Sequence, residues 1–141
     1  MIVINHKEQE LASWRPGNKT RLNVGASTGA TKLCIAEQWF DPGTGAPTHT
    51  HFETEETITV LEGRAEFWVG DDRAVLEPEM TIVLPPYSHH GFTNVGDGTL
   101  HIWAAYSDAS VRTEYDADPA SMYAIGGTDG ERVDAARVKK G

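Results

Sequence analysis

The chain has 141 residues, 39% of them hydrophobic, with 14 glycines and 7 prolines, the size and turn-rich composition of a single all-β domain. A formal net charge of −9 excludes the basic footprint of a nucleic-acid binder and any attraction to an anionic membrane surface. One cysteine, Cys34, excludes an intrachain disulfide. With no apolar run long enough for a signal-peptide core or a bilayer span, the expectation is a cytoplasmic protein.

Residues 1–19 read as an N-terminal arm, with one strand over Ile2 to Asn5 and a turn at Arg15-Pro16-Gly17, just after Trp14. Short β-like runs follow at Thr20 to Val24, Thr31 to Phe40, Thr57 to Leu61, Ala65 to Val69, Arg73 to Leu76, Thr81 to Leu84, Gly91 to Asn94 and Thr99 to Tyr106. The breaks carry turn chemistry, among them Asp41-Pro42-Gly43, Gly70-Asp71-Asp72 and Pro85-Pro86. Strands recurring at roughly 8–12 residues predict a sandwich or barrel. Beyond them, Asp118-Pro119 reads as a helix start and Gly126-Gly127 as its stop. Asp129 to Lys140 reads as a second short helix or a mobile tail. The chain thus divides into an arm (1–19), a barrel domain (20–111) and a short, in part helical, C-terminal extension (112–141).

The stretch THTHFETEETITVLEG, Thr48 to Gly63, concentrates ionisable groups at the start of a strand-like run. Side chains alternate faces along a strand, so His49 and His51 point the same way, roughly 7 Å apart. Glu56 is able to join them after a short bend, and Glu56, Ile58 and Val60 then share a face. Glu53 reads as a solvated loop residue. A second segment, PPYSHHGFTN from Pro85 to Asn94, supplies a third histidine, His90, on the same face as Phe92 and Asn94.

These residues resemble the cupin superfamily. Its first motif is glycine, five residues, His-x-His, three or four residues, glutamate, six residues, glycine. Gly43, His49, His51, Glu56 and Gly63 meet every spacing. Of the second motif, Pro85, His90 and Asn94 are in place, while Glu79 and Tyr87 stand at two turn positions where the family has glycine. The resemblance spans roughly residues 20–107 and implies a jelly-roll β-barrel of two facing sheets, often a homodimer. Carried over, it makes His49, His51, Glu56 and His90 ligands of one divalent transition metal: iron, manganese, nickel, zinc, cobalt or copper. Glu55 is the alternate carboxylate, set aside because Glu56 keeps the six-residue gap to Gly63. His89 is the alternate third histidine, which strand alternation turns away from His90.

His101 and Trp103 share one face of their strand. They line the pocket if that face is inward, and lie on the surface if Leu100 and Ile102 are the core. Cys34 reads as a small buried hydrophobe. There is no phosphate-cradling glycine loop and no nucleophile elbow. The expected function is that of a metal-dependent enzyme acting on a small-molecule substrate. Similarity to small quercetin-dioxygenase-like cupins favours dioxygenase chemistry, with Glu56 as ligand or base. Isomerase, decarboxylase or lyase chemistry, or a non-catalytic metal-holding module, are the alternatives.

Overall fold

A computed structural model describes residues 1–126 and 137–139. Thirteen strands occur among them: β1 (Leu11–Ala12), β2 (Asn18–Val24), β3 (Cys34–Phe40), β4 (Gly45–His51), β5 (Glu56–Glu62), β6 (Ala65–Val69), β7 (Asp72–Leu76), β8 (Thr81–Leu84), β9 (His90–Asn94), β10 (Leu100–Tyr106), β11 (Val111–Tyr115), β12 (Asp118–Ile125) and β13 (Arg137–Lys139). They form two antiparallel sheets, in the orders β1-β2-β3-β10-β5-β8 and β13-β12-β11-β4-β9-β6-β7. This is the all-β jelly-roll arrangement expected. No helix among the described residues is long and apolar enough to cross a membrane.

Alternation decides what fills the space between the sheets. Leu100, Ile102, Ala104 and Tyr106 of β10 are buried, as are Ile58 and Val60 of β5 and Phe40 and Ala36 of β3. Phe67 and Phe92 join them from the opposite sheet, with Phe92 5.0 Å from both the Phe40 and Phe67 rings. Burying side chains of this size contributes about 1.5–3 kcal/mol each. At Gly45 the β4 and β9 backbones leave no room for a side chain: a Cβ there would sit 2.0 Å from the Phe92 carbonyl oxygen.

Two expectations are corrected. Ile2 to Asn5 is not a strand; the arm instead makes a short turn of 3-10 helix at His6–Glu8. The helix expected at Asp118-Pro119 is the strand β12, which pairs with β11. Pro119 falls at the register break between Asp118 and Met122, where a proline costs no ladder bond, and cross-strand pairing overrides the local capping preference. Beyond it, the expected second helix or tail at Asp129 to Lys140 lies outside the described residues except for 137–139, which form β13.

Glu79 and Tyr87 adopt φ of 70° and 65°. The chain therefore keeps the left-handed turns that glycine would fill, at a backbone cost of about 1–2 kcal/mol for each side chain. Tyr87 keeps its turn because its N–H donates to the His51 carbonyl at 3.0 Å and its ring meets Phe52 edge-on at 5.8 Å.

Candidate metal centre

Strand register assembles the site. In the β4–β9 pair His49 lies opposite His90, after a bulge that follows Ala46, and their rings are 4.3 Å apart. His51, two residues along β4, faces the same way, its ring 4.9 Å from His49 and 5.2 Å from His90. Glu56, first residue of β5, enters from the other sheet. Its Oε2 is 2.9 Å from His51 Nε2 and 3.2 Å from His90 Nε2. All four residues are buried, and their ligand atoms lie within 4.8 Å of one another. Glu55 and Glu53 are exposed. His89 is also exposed and pairs with Asp116 at 2.9 Å.

Each imidazole is oriented through its other nitrogen. His49 Nδ1 is 2.7 Å from the Pro47 carbonyl, His90 Nδ1 is 2.9 Å from the Ser88 carbonyl, and His51 Nδ1 is 2.9 Å from the Thr113 hydroxyl. A carbonyl can only accept, so Nδ1 of His49 and His90 carries the hydrogen, and in the neutral rings Nε2 presents a lone pair inward. His51 Nε2 has no hydrogen-bond partner, although Glu56 is close; the distance is short but the alignment is wrong for a hydrogen bond. Lone pairs and a carboxylate thus converge with no donor among them, which is the arrangement a cation stabilises. Ligand bonds of about 2.0–2.2 Å put neighbouring donors about 3 Å apart and opposite ones about 4 Å apart, so these residues fit one transition-metal ion.

The electrostatics agree. Burial, followed by the neighbouring His51 and His90, holds His49 well below the usual imidazole value. Burial would raise Glu56, but contact with His51 and His90 outweighs it and holds the carboxyl well below its usual range. Burial would lower His90, but the adjacent Glu56 carboxylate outweighs it and raises the ring.

Register also sets the surroundings. Tyr106 lies opposite Glu56, Tyr115 opposite His49 and Thr113 opposite His51. The Tyr106 ring meets His51 edge-on at 5.3 Å, and burial, then the Glu56 and Cys34 charges, push its phenol well above the usual value. Cys34 is fully buried; burial first, then Glu56 and Asp108, push its thiol up to about 12. Sequence reasoning did not find Arg15, Thr113 or Tyr115. A cavity of about 30 Å³, bounded by His49, His51, Glu56, Arg15, Tyr106 and Tyr115 among others, has room for an ion or a water. A wider cleft of about 570 Å³ lies elsewhere, at Leu11, Lys19, Arg21 and Trp39, and touches none of the four candidate ligands.

His101 and Trp103 are on the outer face: they alternate with buried Leu100, Ile102 and Ala104. His101 stacks on Trp39 at 4.8 Å and its Nε2 is 2.7 Å from Glu37. Glu37 is also bound by Arg21 at 2.6 Å and Asn23 at 3.2 Å.

The family model described as the cupin domain matches residues 36–106. Polyketide synthase CurC of Streptomyces cyaneus is 30% identical over 95 residues, 67% of this chain and 62% of its own length. The chain spans 62% and 57% of the curated relatives it matches. Among solved structures, a sugar phosphate isomerase from a cupin superfamily of Silicibacter pomeroyi aligns with a TM-score of 0.69 at 17% identity, covering 98% of this chain and 92% of that one. Oxalate decarboxylase of Bacillus subtilis, a protein with Mn(II) centres, aligns with a TM-score of 0.72 at 20% identity over 79% of this chain and 31% of its own. At these identities the likeness is one of fold.

Proposed function

Because the chain belongs to the cupin domain family, its model matching residues 36–106, we propose that it is a mononuclear metal-dependent enzyme acting on a small organic molecule. The observation that carries this reading is the inward convergence of three imidazole Nε2 atoms and one carboxylate, each imidazole held through Nδ1. His49, His51, Glu56 and His90 would hold the ion. Bound there, it would supply Lewis acidity and, if redox-active, one-electron chemistry.

The chain's own groups do the rest. Tyr106, kept protonated by its surroundings, is a hydrogen-bond donor beside Glu56. Glu56 stays a ligand or, released, takes a proton from substrate. Ile58, Phe92 and Ile102 give the cavity an apolar wall on the core side. Dioxygenation of a small organic substrate is the reaction we place first, with isomerisation or decarboxylation next.

Elemental analysis of the untagged chain tests the reading. About one iron, manganese, nickel or copper per chain, lost in His90→Ala while the β-sheet spectrum persists, is the expected result, and dioxygen uptake with small organic substrates then tests the reaction. Zinc in its place moves the assignment to isomerase or lyase chemistry. Full metal occupancy in His90→Ala, or none in the wild type after reloading with each ion, overturns the site.

A further inference from the structure

We propose that Arg15 selects the substrate: its guanidinium receives a carboxylate of a small organic acid whose other oxygens reach the centre of His49, His51, Glu56 and His90. This inference rests on reading that centre as a metal site.

Arg15 sits in the turn between β1 and β2. Its backbone is fixed there, its carbonyl accepting from the Asn18 N–H at 3.2 Å, while the neighbouring Trp14 packs on the core. The side chain turns inward. Its Cζ is 5.2 Å from the Tyr115 ring centroid, Nη2 donates to the Tyr115 hydroxyl and Nη1 reaches the Gly45 carbonyl at 3.5 Å. The Tyr115 ring is in turn 5.4 Å from the His49 ring. Arg15 and the candidate ligands His49, His51 and Glu56 border one cavity.

The charges around this cation are incomplete. Arg21, Arg64, Arg73 and Arg112 each reach a glutamate. Among the described residues no carboxylate lies within ion-pairing distance of Arg15, although it is half-buried. A guanidinium carries five N–H donors in a planar fork; two of its nitrogens are engaged here, one by a phenol and one by a distant carbonyl. Three neutral imidazoles, one carboxylate and a divalent ion leave the centre with one net positive charge, and Arg15 adds a second. A small dianion neutralises both.

The cavity volume points the same way. About 30 Å³ does not admit an organic acid, so entry requires Arg15 to leave Tyr115. The exchange replaces a single bond to a neutral phenol by a bidentate pair between opposite charges, the geometry in which a guanidinium fork matches a carboxylate.

The test uses the full chain loaded with cobalt(II), as wild type, Arg15→Gln and Arg15→Lys, with metal content measured in each. Oxalate, malonate and succinate are titrated against acetate and neutral malonamide, read by the visible cobalt spectrum and by tryptophan fluorescence. The expected result is that one dicarboxylate binds the wild type at least about tenfold more tightly than malonamide. Arg15→Gln loses about tenfold or more of that affinity and Arg15→Lys recovers part of it, while acetate binding changes little. Equal binding of all three dicarboxylates by wild type and Arg15→Gln, with metal in place, overturns the inference and leaves the metal centre standing. A wild type that takes up no cobalt overturns the metal centre, and the inference falls with it.

Discussion

Thr113 Oγ1 lies 2.9 Å from Nδ1 of His51, across the β11–β4 pairing that sets the two residues opposite each other. The hydroxyl fixes the ring that has no other hydrogen-bond partner at its inner nitrogen. Thr113→Val keeps the shape and removes the bond. The expected outcome is a 10–100-fold weaker metal affinity, roughly the usual loss when a ligand's outer partner is removed, measured by competition with a chelator, and little change in the melting temperature of the metal-free chain.

Glu79 holds φ of 70° at a turn and is exposed. Glu79→Gly removes the left-handed strain, so a gain of about 1 kcal/mol and a melting temperature a few degrees higher are expected. Tyr87→Gly relieves a similar strain but loses the ring contact with Phe52, and its gain should be smaller. Thermal unfolding of both variants checks the order.

Cys34 is fully buried with its thiol pushed up to about 12. A thiolate is the reactive species, so the native chain should leave a colorimetric disulfide reagent unreduced at neutral pH and react with one equivalent only after unfolding. Rapid reaction of the folded chain would contradict the burial.

Burial alone would raise the Glu37 carboxyl, but Arg21, His101 and Asn23 outweigh it and hold it below its usual 4.5. A depressed carboxyl contributes stability that is present above the unfolded value of 4.5 and is lost as pH falls through the folded one. Wild type should therefore exceed Glu37→Gln in urea midpoint at pH 7, and the gap should close below pH 4.5. A gap that widens on acidification would reverse the sign.

What the sequence made legible follows from range. His49, His51 and Glu56 share one strand-bend-strand segment, where alternation and spacing are local facts, and His90 opens a strand behind a rigid Pro85-Pro86 turn. Arg15, Thr113 and Tyr115 reach the site only through long-range pairing and packing, and no local pattern marks such an approach. His101 and Trp103 stayed undecided because both faces of β10 carry apolar side chains. Only the packing of this sheet against the opposite one makes Leu100, Ile102 and Ala104 the inner face. The tail misled for the opposite reason: a good local helix signal at Asp118 lost to an available strand edge.

Glu56 belongs to one sheet and the three histidines to the other. Glu56 and His90 are 34 residues apart in sequence, so an ion shared between them is a cross-link closing a long loop, and its hold on the fold grows with its occupancy. The two layers then breathe as one unit. Amide hydrogens of β5 and β9 should exchange together and slowly in the loaded chain, and on separate, faster schedules once a chelator has drawn the ion out.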